Sequence, residues 1–227
     1  MKVDGQSQPF IRAKVTNDFV DYAHNDVANA AWFIRERLAK TLENENEGEG
    51  VFLDMIALVT MTAFTLEGYA NFIGKWIIDR DNSEKDALDI WNKFERIPIK
   101  EKIKSIQKML DIEMDWNKRP YETVDSLISL RNMFAHPKSH PAKEREQILV
   151  GTDAKLRQLL RDHKPEYEER LTWEFANIAY NDVEAIWRGL LSAAQIELHQ
   201  TWSGGSQGIE LIEVLDHPSA QPDATPP

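Results

Sequence analysis

Cysteine is absent from the 227 residues, and with it go disulfides, thiolate nucleophiles and any cysteine-ligated zinc or iron-sulfur centre. Glycine and proline are scarce, ten of each, and most of the prolines stand outside the segments with hydrophobic periodicity, which favours a helical protein. No H-E-x-x-H, G-x-x-x-x-G-K-[ST], G-x-G-x-x-G or G-x-S-x-G stretch occurs, so zincin, P-loop, dinucleotide-binding and α/β-hydrolase chemistry have no anchor here. Self-similarity at the period of about 20 to 50 residues expected of a solenoid is missing. Residues Met1 to Asn17 are polar and lack the apolar h-region of a signal peptide, so a cytoplasmic location is expected. One apolar run deserves a membrane check: Met55 to Leu66 carries no charge and the character continues through Phe72 and Ile73. Asp54, Glu67 and Lys75 interrupt the roughly 20 residues that a bilayer requires, and a buried central helix with no membrane contact is the reading.

Basic residues are the minority, and the net charge of −11 argues on its face against nucleic acid. The distribution is uneven. From Lys93 to Lys164 there are 16 lysines and arginines against 11 acids, leaving 11 basic and 27 acidic residues elsewhere. The basic portion is open to two readings, a solvated helical face and a nucleic-acid footprint.

The pattern predicts an all-α protein, an up-and-down bundle of about five to seven helices. Helices are expected from about Asn17 to the Leu42 region, Val51 to Arg80, Glu84 to Glu95 after an Asn82-Ser83 cap, and Ile99 to Leu110 after Pro98. In the last of these Lys100, Lys102, Lys104 and Lys108 are expected on the exposed side. A further helix runs from about Tyr121 to His136, a short exposed segment or flap occupies Lys143 to His163, and a long helix covers Glu166 to His199. The domain division is an N-terminal extension (1–16), the bundle (17–202), and a linker with a flexible C-terminal tail (203–227), in which Ile209 to Leu215 is short strand or docking segment.

One helix breaks its own pattern. At 100° per residue Val124, Leu127, Ile128, Leu130, Phe134 and Ala135 form an apolar arc, and Arg131 falls inside it. Arginine is rarely buried alone, so Arg131 calls for a carboxylate, a second chain or an anionic ligand. On the other side Asp125, Ser129, Asn132 and His136, spaced by four, three and four, make a polar stripe. Pro137 disfavours α conformation at His136, which places the histidine at the helix C-terminus, where the macrodipole favours its protonated form.

Arg131-Asn132-x-x-x-His136, at the end of a helix in an all-helical chain, resembles the R-x4-6-H motif of the HEPN superfamily, with the frequent Asn after the Arg. The setting L-x-x-L-R-N-x-x-A-H adds to the likeness, as does Leu66-Glu-Gly-Tyr-Ala-Asn-Phe72, similar to an acidic and aromatic stretch on an earlier helix of many members. The resemblance implies a helical bundle, usually dimeric, and metal-independent ribonuclease activity of the toxin, antiphage or RNA-processing kind; other members are not catalytic. Some toxin members carry Tyr two residues after the His, where this chain has Lys138, so regulation through such a tyrosine is not implied.

The chemistry asked of these residues is definite. Cleaving RNA without a metal needs a proton-transfer group, for which His136 is the candidate, and fixed positive charge on the phosphorane-like transition state, for which Arg131 is. Asn132 would orient the imidazole or donate to a phosphate oxygen, with Glu67, Ser129 and Asp125 supporting and Lys138, Lys118 and Arg119 as substrate-binding candidates. Arg131 and His136 lie about 140° apart on a straight helix, so the helix must unwind at Pro137 or a second chain must contribute one group. Competing readings stay open: Arg131 as a buried ion pair with Glu67, His136 as a helix cap without chemistry, and Trp116 as base-stacking surface or core. A His136/His140 metal pair is disfavoured by Pro137, and no metal or cofactor is expected. The expected partners are RNA, a second copy of the chain, and a cognate antitoxin or regulatory protein. The alternative function is a non-catalytic helical module that binds a protein or a nucleotide.

Overall fold

The computed structural model describes residues 10–43, 50–136, 150–161 and 166–215. They divide into two compact units, a helical unit of residues 23–201 and a strand unit built from residues before and after it. The helical unit holds eight α-helices among the described residues: α1 (Ala23–Glu43), α2 (Val51–Asp81), α3 (Glu84–Phe94), α4 (Ile99–Leu110), α5 (Thr123–Ala135), α6 (Asp153–Arg161), α7 (Glu166–Arg170) and α8 (Trp173–Ala194). A 3₁₀ turn, Leu198–Thr201, closes it. The described residues are mostly helical, as the periodicity predicts, and form in addition one two-stranded sheet that the all-α expectation lacked.

The helix at the centre is α2, which packs against α1, α3, α4, α5 and α8. It can do so because it is apolar nearly all round, with Leu58, Val59, Ala63, Leu66, Ala70, Ile73, Ile77 and Ile78 buried on several faces. Among the described residues α2 is the one helix long and apolar enough to cross a membrane by length and composition, and it packs against five other helices. Two glycines permit close approach. A Cβ on Gly74 would lie 2.3 Å from the Phe94 ring, and one on Gly68 2.8 Å from the His24 Cβ. Beside Gly68, His24 is enclosed by Tyr69, Phe72 and Trp187, with Tyr69 and Trp187 stacked at 4.0 Å. Burial lowers its pKa to about 4, against a backbone hydrogen bond with Thr201 that acts in the opposite sense.

Local chemistry sets the helix ends. The Ser83 hydroxyl accepts from the Asp86 N–H and donates to its carboxylate, capping α3 where the sequence places a cap. Pro98 precedes the first turn of α4, whose end is closed by Asp111 at φ 51°. Thr172 caps α8, and Gln195, at φ 57°, ends it four residues before His199, the expected end.

The strand unit departs most from expectation. Phe10–Val20, split by the sequence reading between an N-terminal extension and the start of the first helix, is strand β1; α1 begins only at Ala23. Its antiparallel partner β2 is Gly204–Leu215, which takes in both the glycine-rich stretch read as linker and the segment read as short strand. The helical unit thus runs 23–201 where the sequence drew the bundle at 17–202. Residues 216–227 of the expected linker and tail, and most of the turn and flap from Pro137 to His163, lie outside the described residues.

Candidate functional site

Helix α5 packs on α2 and α8 through buried Val124, Leu127 and Leu130, the centre of the predicted arc. Ile128 and Phe134 are half-buried at its margins, and Tyr167 of α7 meets both Phe134 and Phe52 edge to face or tilted. This packing fixes the direction of Arg131, whose side chain is 21% exposed. Its Nη2 donates to Glu67 Oε2 at 3.1 Å, its Nη1 donates to Asn132 Oδ1 at 2.9 Å, and its guanidinium lies 5.1 Å from the centroid of the Phe64 ring. Phe64 and Glu67 are three residues apart and so share a face of α2. The arginine Nε is buried and has no hydrogen-bond partner among the described residues.

Glu67 serves a second cation. Its Oε1 accepts from Lys102 Nζ at 3.1 Å, and the Lys102 side chain is only 1% exposed. Lys102, expected on the exposed side of α4, is therefore buried, while Lys100, Lys104 and Lys108 do not share that fate. The sequence carries the reason. Ile99, Lys102, Ile103 and Ile106 follow the i, i+3, i+4, i+7 rule, and the lysine takes a core position as Arg131 does on α5. One carboxylate between two cations leaves the cluster with one net positive charge, short of full neutralisation of Arg131.

The polar stripe is exposed at all four positions, Asp125, Ser129, Asn132 and His136. Two are engaged elsewhere: Asp125 accepts from Lys100 Nζ at 2.6 and 2.8 Å, and Ser129 Oγ accepts a long 3.4 Å bond from Arg170. Asn132 uses its side-chain oxygen for Arg131 and its backbone carbonyl for the His136 N–H at 3.0 Å. His136 closes α5 at φ −130° and ψ 66°, outside the α region, as a residue before proline should be. Its imidazole has no hydrogen bond or ion pair among the described residues, so both ring nitrogens are open there.

The substrate-binding candidates do not join this cluster. Arg119 donates from Nε and Nη2 to Asp182, whose side chain is 5% exposed and also accepts from the Thr123 hydroxyl. Those hydrogen bonds, and then the carboxylate's charge, raise the Arg119 pKa further. Arg119 thus ties the segment before α5 to α8. Lys118 is exposed and pairs with Asp115 at 3.1 Å. Lys138 and His140 lie outside the described residues. Trp116 is half-buried, with Lys100 and Lys104 Nζ at 5.1 and 6.0 Å from its ring centroid and Tyr121 against it. Among the described residues no three His, Cys, Asp or Glu side chains gather as a metal site would require.

The structure therefore brings together Arg131, Asn132 and Glu67, adds Lys102 and Phe64, and leaves His136 apart from them at the C-cap of α5. An open depression of about 870 Å³ on the C-terminal part of α8, lined by Trp187, Arg188 and Leu198 among others, shares no residue with this cluster. Comparison with models of known protein families, with curated proteins and with solved structures gives no match for the chain.

Proposed function

We propose that the chain is a HEPN-like, metal-independent endoribonuclease that acts as a homodimer, in a bacterial toxin or antiphage defence setting with a cognate antitoxin or regulatory protein. The observation that carries the reading is the charge balance at Arg131: a half-buried guanidinium held by a carboxylate that it shares with Lys102, on the helix that an exposed histidine closes. The surplus positive charge suits a phosphate, and the fixed fork suits the equatorial oxygens of a phosphorane.

In this reading the RNA 2′-oxygen attacks the adjacent phosphorus while the bond to the 5′-oxygen breaks. His136 takes the 2′-hydroxyl proton, the leaving 5′-oxygen is protonated from the site or from solvent, and the products are a 2′,3′-cyclic phosphate and a 5′-hydroxyl. Asn132 holds Arg131 through its side-chain oxygen and keeps its amide N–H groups for a phosphate oxygen. A second copy supplies the group that helix geometry keeps apart.

The competing reading is a non-catalytic helical module for a protein or nucleotide. One observation favours it: Asp125 and Ser129 are already engaged by Lys100 and Arg170, so only Asn132 and His136 of the stripe remain open. RNA cleavage in the presence of a chelator, with wild type beside His136→Ala, separates the two.

A further inference from the structure

The β1/β2 ribbon has one polar and one apolar face. Ile11, Ala13 and Val15 alternate along β1 and face Val214, Leu211 and Ile209 on β2, while Arg12 faces Glu213 and Lys14 faces Glu210. Ile11, Val15, Ile209, Leu211 and Val214 are each more than half exposed. A two-stranded ribbon with an open apolar face is marginal by itself in water, and three or more strands are the usual remedy.

Its two edges are unlike. The β2 edge is blunted: it carries three glycines, Gly204, Gly205 and Gly208, and Glu210 and Glu213 would meet their own kind in a self-pairing. It also bulges at Ile212, the extra residue between the Arg12/Glu213 and Ala13/Leu211 pairs. The β1 edge has none of these devices. For 11 residues it contains no glycine, proline or bulge, and among the described residues it hydrogen-bonds to β2 as its one strand partner. Its sequence complements itself: antiparallel pairing about Val15 sets Arg12 opposite Asp18 of a second copy, Lys14 opposite Thr16, and brings no like charges together. Arg12 already gives one nitrogen to Glu213 at 3.1 Å and has others to give, and no hydrogen bond occupies the Asp18 carboxylate among the described residues.

We infer that β1 is a self-association edge, and that two copies join through it, about a two-fold axis at Val15, into a four-stranded antiparallel sheet. Each Arg12 then lies between Glu213 of its own chain and Asp18 of the second copy, and Val15 meets Val15 at the axis. This contact stands independently of the ribonuclease reading and uses none of its residues.

The chain has no cysteine, so single-cysteine variants report cleanly. Across the axis residue 15 meets itself with Cβ atoms about 5 Å apart, so Val15→Cys should give a covalent dimer under mild oxidation. Ile209→Cys, on the far strand, should not. Light scattering of the wild type should show self-association at micromolar concentration, and adding Asp18→Arg, which sets arginine against arginine, should lower the Val15→Cys cross-link at least tenfold. A wild-type monomer with no cross-link at Val15→Cys overturns the inference. So does a Val15→Cys cross-link that Asp18→Arg leaves intact, or an equal cross-link at Ile209→Cys, which is the mark of ribbons stacked face to face. Capture of another protein's strand by a chain that stays monomeric also overturns it.

Discussion

Glu67 and Arg131, 64 residues apart in sequence, meet at 3.1 Å across the α2/α5 contact, and the same carboxylate holds Lys102 at 3.1 Å with its other oxygen. The three form a unit in which the acid is the indispensable member.

That unit predicts an asymmetry in stability. Glu67→Gln keeps the shape but leaves two partly buried cations facing each other, and should cost about 3 kcal/mol. Lys102→Met replaces the buried ammonium with an apolar side chain of similar length and keeps Glu67 with Arg131, so its cost should be about 1 kcal/mol or less. Urea denaturation of the two variants checks this, and equal losses would show that Lys102 is as necessary as the acid.

Arg131→Lys separates catalysis from architecture. A lysine at this position can still meet Glu67 but offers a point charge instead of a fork. Thermal melting should fall by only a few degrees while RNA cleavage drops on the order of 10²-fold or more. If Arg131 merely pins the helices, activity should follow the folded fraction in both Arg131→Lys and Arg131→Ala, measured on the same preparations.

His24 predicts a pH dependence of stability. Its pKa is about 4 in the fold, where desolvation dominates, against 6.5 for the free side chain, so between those values the unfolded chain binds the extra proton. The contribution is full above about pH 6.5, is lost as pH falls toward 4, and amounts to about 3 kcal/mol in all. His24→Gln removes this titration. The wild-type advantage over it in denaturant should therefore shrink from pH 7.5 to pH 4.5, and a constant difference contradicts the assignment.

How much of this was legible depended on how local the cause was. Arg131 stood out because five apolar neighbours at helical spacing frame it, and Glu67 was readable as its partner because it too interrupts an apolar helix. Lys102 carried the same signal, at i+3 of the stripe that runs from Ile99 through Ile103 to Ile106, but lay hidden among Lys100, Lys104 and Lys108, whose alternation resembles a solvated face. Strand β1 and its pairing with β2 were unreadable for a different reason. Val15 finds Ile209 and Thr16 finds Gly208 across nearly the whole chain, and no window of sequence records such a pairing. Three glycines in β2 further lower its strand propensity and make it look like a linker. Arg119 looked like a phosphate ligand because nothing local shows that Asp182 of α8 is waiting for it.

The central claim is that His136 and Arg131 cleave RNA without a metal, and cleavage in EDTA tests it most directly. Wild-type protein with single-stranded RNA and excess chelator should give products ending in 2′,3′-cyclic phosphate and 5′-hydroxyl. His136→Ala, whose exposed side chain makes no hydrogen bond or ion pair among the described residues, should lose on the order of 10²- to 10⁴-fold in rate at unchanged melting temperature. Cleavage that disappears on chelation, or that persists at the wild-type rate in His136→Ala, contradicts the account.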